Sequence, residues 1–153
     1  MSATSIELKA PAKLNLFLHV VGRRTDGMHL LESVFVLIDL CDDIVLELDP
    51  SGKISRTGDV IGDMDKDLCV RAARRLQQIS GTTIGCRIHV TKRIPAGAGM
   101  GGGSSDCAST LMGLNKLWEL NWPQEKLMSI GESLGADVPF FLFGQNACLL
   151  YTS

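Results

Sequence analysis

The chain has 153 residues, 45% of them apolar and 21% charged, with a formal net charge of −2. That is enough for one ordinary globular core and a single domain. It excludes the basic surplus of a nucleic-acid binder, and the longest apolar runs fall far short of a membrane span. The opening segment, Met1-Ser2-Ala3-Thr4-Ser5-Ile6-Glu7, has neither the basic nor the apolar region of a secretory signal, so a cytoplasmic protein without nucleic-acid or membrane partners is expected. Five cysteines (Cys41, Cys69, Cys86, Cys107 and Cys148) are scattered without a C-x-x-C pair and read as buried free thiols.

From Ile6 to Val20 the apolar residues alternate, with Ile6, Leu8, Leu14, Leu16, Leu18 and Val20 on one parity, which predicts a half-buried strand with Lys13 and Asn15 on its other face. Pro11 removes one ladder donor and belongs at an edge, at a bulge, or where two short strands meet. Ser33 to Leu40 and Asp43 to Leu48 are β-branched and apolar, and Cys41-Asp42 between them predicts a hairpin. Pro50 to Asp67 reads as loop. Leu68, Ala72, Ala73, Leu76 and Ile79 follow helical spacing, which predicts a helix over Leu68 to Ser80, with Arg71, Arg74 and Arg75 on its solvated face and Gly81 as its stop. Cys86, Ile88 and Val90 form another strand. Next come a helix over Ser104 to Leu120, burying Ala108, Leu111, Met112, Leu114, Leu117 and Trp118, and one opened by Pro123 and ending near Gly135.

Between the last strand and the first of these later helices lies Pro95-Ala96-Gly97-Ala98-Gly99-Met100-Gly101-Gly102-Gly103-Ser104-Ser105. Its five glycines let backbone amides turn inward and approach a ligand closely. Ser104 and Ser105 can cap the following helix, whose N-terminus adds about half a positive charge. Strand, glycine loop and helix in that order make a phosphate cradle. A flexible linker is the competing reading, but linkers are not wedged between patterned elements. No Gly-Lys-Ser/Thr closes the run, so it is not a Walker A loop. Gly97, Gly99 and Gly102 satisfy the dinucleotide G-x-G-x-x-G, yet the following helix leads through Leu120-Asn-Trp-Pro-Gln into another helix and not into a parallel strand.

Four segments, Pro11-Ala-Lys-Leu-Asn-Leu16, Gly22-Arg-Arg-Thr-Asp-Gly-Met-His29, Pro95 to Asp106 and Leu134-Gly-Ala-Asp-Val-Pro139, stand in one order across nearly the whole chain. In them the chain resembles the GHMP superfamily of small-molecule kinases, and within it the 4-diphosphocytidyl-2-C-methyl-D-erythritol kinases. The resemblance implies an α+β fold, with a mostly antiparallel sheet packed against helices and a left-handed βαβ unit. It also implies transfer of the γ-phosphoryl group of ATP to the 2-hydroxyl of 4-CDP-2-C-methyl-D-erythritol, a step of the non-mevalonate (MEP) isoprenoid pathway. By the same resemblance Asp137 is the base, Lys13 stabilises charge, Pro95 to Ser105 wraps the ATP phosphates, and Asn15 and His29 hold the substrate, His29 at the cytosine. Magnesium is expected with ATP, and no metal ligand is assigned.

Taken singly, Lys13 reads as a solvent-facing strand residue, Asp137 as a turn cap after Gly135, His29 as a loop histidine, and Phe140, Phe141 and Phe143 as core. The chain departs from the family at Met28, where an aromatic residue usually precedes the histidine, at Met100, usually leucine, and at Asp67, near an asparagine associated with adenine. Residues 1–147 read as the N-terminal ATP-binding domain. Residues 148–153 depart from the pattern, as a chain truncated before a C-terminal lobe would. A catalytically silent nucleotide-binding fragment and a kinase for another small alcohol are the alternative functions.

Overall fold

The computed structural model describes residues 4–23, 29–59 and 62–144, with the side chains of all but 16–23 and 29–34. Strands β1 (Ser5–Arg23), β2 (His29–Asp49), β3 (Ile54–Gly58) and β4 (Gly85–Thr91) form a sheet in the order β1-β2-β4-β3. β1 with β2 and β2 with β4 are antiparallel; β3 and β4 are parallel and joined through helix α1 (Leu68–Ser80). Helix α2 (Gly102–Leu117) packs on β1, β2 and α1, and α3 (Gln124–Leu134) packs on α1 and α2. A last helix, α4, covers residues 138–144. The mostly antiparallel α+β expectation is met.

The core lies between sheet and helices. Ile44 and Leu46 of β2 and Ile88 and Val90 of β4 point at Leu76 of α1 and at Leu111 and Leu114 of α2, all of them buried. Burying each such side chain contributes about 1.5–3 kcal/mol. Helix α1 has the predicted bounds, and Gly81 ends it in the left-handed conformation at φ +72°. Arg71, Arg74 and Arg75 are exposed as expected, and so is Ile79. Cys69, Cys86 and Cys107 are buried free thiols, Cys41 is half-buried, and Cys148 lies outside the described residues.

Several expectations need correction. The predicted hairpin over residues 33–48 is one uninterrupted strand, β2. Asp42, which reads as a turn residue, is fully buried in that strand because its carboxylate accepts from the backbone amides of Arg93 (2.6 Å) and Ile94 (2.9 Å). Residues 50–67 hold strand β3 and a 3-10 turn (Met64–Lys66), not only loop. β3 escapes a hydrophobic pattern because its buried residue is Arg56, whose guanidinium donates to the carbonyls of Thr57 and Asp59. Helix α2 begins at Gly102, two residues early, and Gly101 is its N-cap with no side-chain cap bond. Ser104 and Ser105 therefore lie inside the first turn and do not cap it. Phe141 is core, but Phe143 is 61% exposed.

The alternation in β1 also breaks. Ala10 and Ala12 are buried, as their parity with Ile6 and Leu8 requires, but Leu14 is 41% exposed and Lys13 only 7%. The cause is a register shift: Pro11 faces Cys41, yet Lys13 faces Leu37. A bulge reverses which parity faces the core. Pro11 thus sits at the bulge, in an edge strand, as predicted.

Asp67 ties fold to cavity. Its carboxylate caps α1 by accepting from the amides of Cys69 (2.9 Å) and Val70 (3.1 Å), and Arg56 Nε lies 3.3 Å from its other oxygen. Loss of the cap costs about 1 kcal/mol; stranding a buried guanidinium costs about 3 kcal/mol or more. Asp67→Ala should therefore lower stability in urea by clearly more than the cap alone, whereas Asp67→Asn, which keeps a cap oxygen, should lose less.

Candidate active site

Three elements meet at the glycine loop. β4 delivers the chain into it through Lys92, Arg93 and Ile94; α2 leaves it at Gly102; and β1 passes alongside. β1 is an edge strand, and at the register shift the Lys13 amide donates to the Met100 carbonyl at 2.9 Å. The loop is thereby bonded to the sheet two residues before the helix starts.

Gly97, Gly99 and Gly101 adopt φ of +71°, +73° and +71°, a region that side chains rarely enter. At Gly97 and Gly99 an added Cβ would meet nothing within 4 Å, so that face of the loop is open. At Gly101 it would meet the Phe141 ring at 2.7 Å and Lys13 Cε at 3.3 Å. Only a glycine lets the loop pass this close to the lysine stem.

The loop walls a cavity of about 410 Å³, completed by the start of α1 and by Arg56, Lys66 and Lys92. Every residue from Pro95 to Ser104 lines it. Ser105 does not: it is fully buried, and its hydroxyl has no hydrogen-bond partner. Asp67 is part of the lining, at the position noted as a departure.

Lys13 and Asp137 are brought together beyond the helix end of the loop. Lys13 Nζ lies 3.4 Å from Asp137 Oδ2 and 4.3 Å from the centroid of the Phe35 ring. Phe35 in turn meets Phe140 edge-on at 5.4 Å, and Phe140 meets Phe141 at 5.2 Å. The Lys13 side chain is only 9% exposed, whereas that of Asp137 is 46% exposed. Asp137 stands directly before α4, where its carbonyl accepts from the Phe141 amide at 3.4 Å. A carboxylate is favoured at that positive helix end. The solvent-facing reading of Lys13 is therefore overturned.

Asn15 is exposed on β1, two residues along from Lys13 and on the same side of the strand. His29 opens β2 and pairs with Arg23, but its side chain and all of residues 24–28, Met28 included, lie outside what is described. The structure thus brings Lys13 and Asp137 together beside the loop, and sets Asn15 two residues along β1 and His29 at the start of β2.

Sequence reasoning missed the charged residues behind the loop. Lys92 Nζ lies 2.7 Å from Asp42 Oδ2 and 2.9 Å from Asp106 Oδ2. Burial lowers the proton affinity of Lys92, but its hydrogen bonds to the two carboxyls raise it further, so the ammonium stays charged. The adjacency of Asp106 to the two serines was the available signal. Among the described residues, no group of three His, Cys, Asp or Glu side chains is gathered to hold a metal ion, and no helix is long and apolar enough to cross a membrane.

Residues 67–145 match the family described as GHMP kinases N terminal domain. The chain is 56% identical over 151 residues to the 4-diphosphocytidyl-2-C-methyl-D-erythritol kinase of Ralstonia pickettii (strain 12J), a match covering 96% of this chain and 52% of that protein. To the kinase of the same description from Paracidovorax citrulli (strain AAC00-1) it is 60% identical over 141 residues, covering 92% and 50%. A crystal structure of a 4-(cytidine 5'-diphospho)-2C-methyl-D-erythritol kinase superposes with a TM-score of 0.78 at 41% identity, over 91% of this chain and 49% of that one. The chain spans about half the length of the relatives it matches. It belongs to the GHMP kinases, and the stretch matched by the family's N-terminal domain is the one that builds the glycine loop, the helix behind it and Asp137.

Proposed function

We propose that this chain carries the ATP site and the catalytic pair of a 4-diphosphocytidyl-2-C-methyl-D-erythritol kinase, which phosphorylates the 2-hydroxyl of 4-CDP-2-C-methyl-D-erythritol in the MEP route to isoprenoid precursors. The observation that carries the reading is the 3.4 Å Lys13–Asp137 pair set against Gly101, at the helix end of an open glycine cradle. The high identity to kinases of that description supports the choice of acceptor.

Phosphoryl transfer asks a protein for positioning and charge compensation more than for covalent chemistry. In the proposed step the substrate 2-oxygen attacks the γ-phosphorus, the bond from that phosphorus to the β–γ bridging oxygen breaks, and ADP leaves. Asp137, the exposed member of the pair, takes the hydroxyl proton. Lys13, buried with its ammonium over the Phe35 ring, places a fixed point charge beside the oxygen that becomes anionic. The loop amides and the N-terminus of α2 receive the triphosphate, with the exposed Lys66 adding positive charge at the cavity wall, where Arg56 and Lys92 are already paired with carboxylates. Magnesium would accompany the triphosphate and offset its charge. Asn15 and His29 are proposed as substrate contacts on the strength of their motifs.

A second reading, nucleotide binding without transfer, rests on the glycine cradle and its cavity, which would receive a triphosphate whether or not Asp137 acts as a base. Calorimetry with Mg-ATP, followed by an assay for the 2-phosphate, separates the two. Bound ATP with product formed supports the kinase, bound ATP without product supports the binding module, and no ATP binding rejects both. If CMP fails to compete with the substrate, the acceptor is another alcohol.

Removing a general base typically costs about 10²–10⁴ in rate. Asp137→Asn should lower turnover by about a hundredfold or more while ATP affinity changes less than about threefold; unchanged turnover would take the base role from Asp137. Gly101→Ala should weaken ATP binding and turnover together, because its Cβ displaces both the loop and the Lys13 stem. Loss confined to turnover would mean that the loop absorbs the change.

A further inference from the structure

Both ends of the glycine loop are fastened to one buried charge cluster. At the entry, Asp42 of β2 accepts from the amides of Arg93 and Ile94 and from Lys92 Nζ. At the exit, Asp106 in the second turn of α2 accepts from the same Lys92 Nζ. Asp42 is 0% and Asp106 4% exposed, so two carboxyls and one ammonium are confined together. With both carboxyls ionised the cluster would carry an uncompensated negative charge in a nearly dry interior, at the wall of a cavity suited to phosphates. The Oδ1 atom of Asp106 is buried and meets no N–H or hydroxyl donor, so one oxygen of a nominal carboxylate is left unsatisfied. A proton on this carboxyl group removes the charge and supplies a donor for the neighbouring carboxylate.

We propose that Asp106 and Asp42 share one proton, so that the Lys92–Asp42–Asp106 cluster is electrically neutral while it clamps both ends of the glycine loop, and that this proton and a bound nucleotide stabilise each other. The second half rests on the nucleotide site proposed above. The proton resides on Asp106. Burial, and then the hydrogen bond with Asp42, push its carboxyl up to about 8. Burial also acts to raise Asp42, but the hydrogen bond from Asp106, the Ile94 amide, Lys92 and the Arg93 amide outweigh it and keep Asp42 ionised. Arg56, Lys66 and Asp67 share the cavity wall with Asp106, Arg56 and Asp67 being paired with each other, and two thiols lie beside it. Cys69 on α1 is held well above its ordinary range by burial and by Asp106, and Cys107 on α2 is pushed up to about 12 by burial. Neither brings charge to the cluster near neutral pH.

The sign of the coupling follows. A polyanion in the cavity disfavours a second negative charge on its wall, so it binds better to the protonated cluster and raises the proton affinity of Asp106. Nucleotide affinity is then full below about pH 8 and falls as pH rises through that value. Asp106 acts through the loop and is a positioning residue.

Two measurements on the full chain test this. Carboxyl ¹³C NMR without nucleotide should show one of the pair titrating near pH 8; both carboxyls already ionised at pH 6 would overturn the shared proton. ATP affinity measured with saturating magnesium between pH 7 and pH 9.5 should weaken by about fivefold or more. Asp106→Asn, which keeps a donor toward Asp42 but cannot ionise, should abolish that slope; the same slope in the variant would overturn the coupling. A carboxyl titrating near pH 8 in a chain that binds no ATP at any pH would uphold the clamp and reject the nucleotide site, so the two failures are distinguishable.

Discussion

The arrangement depends on one backbone hydrogen bond at a fault in the sheet. Where β1 and β2 lose register between Pro11 and Lys13, the Lys13 amide turns to the carbonyl of Met100 and holds the glycine loop against the strand. The same fault moves the Lys13 side chain from its expected outer face to a buried position. One local irregularity thus fixes where the loop lies and where the ammonium points. A regular strand would have left Lys13 in solvent, where its interaction with an aspartate is worth little.

Around that contact, the charges divide into two groups with different surroundings. Lys13 and Asp137 form a pair with one enclosed and one open member, suited to meeting a ligand from the solvent side. Lys92, Asp42 and Asp106 are closed away behind the loop and act on its backbone. The first group faces the solvent side beside the loop, and the second holds the loop backbone from behind. The loop lies between them, and Gly101 and Gly102 keep it thin enough for both to reach it, since a Cβ there would meet Lys13 Cε at 3.3 Å and Lys92 Nζ at 3.2 Å.

Much of this was legible in the residues. Helix α1, β4, the loop and the proline start of α3 follow from periodicity and from glycine and proline chemistry, because each is decided by local preferences. The meeting of Lys13 and Asp137 was reachable only through the resemblance of their motifs, since no spacing rule joins residues on a strand and before a distant helix. The errors share a cause in tertiary partners that overrule local signals. Asp42 reads as a turn until the Arg93 and Ile94 amides arrive to satisfy it, and β3 reads as loop because its inward residue is an arginine satisfied by backbone carbonyls. Ser104 and Ser105 read as caps because hydroxyls usually fill that place, but a left-handed Gly101 starts the helix first.

The bond from Lys13 to Met100 has a consequence for the behaviour of the protein in crowded solution. Among the described residues β1 is an outer strand of the sheet, and an outer strand with free amides and carbonyls is a template on which another chain can add. Pro11 denies one donor there, and the glycine loop occupies the next by lying along the strand. A loop that reads as ligand machinery therefore also shields the sheet from self-association. Substitutions that unseat it would open that edge.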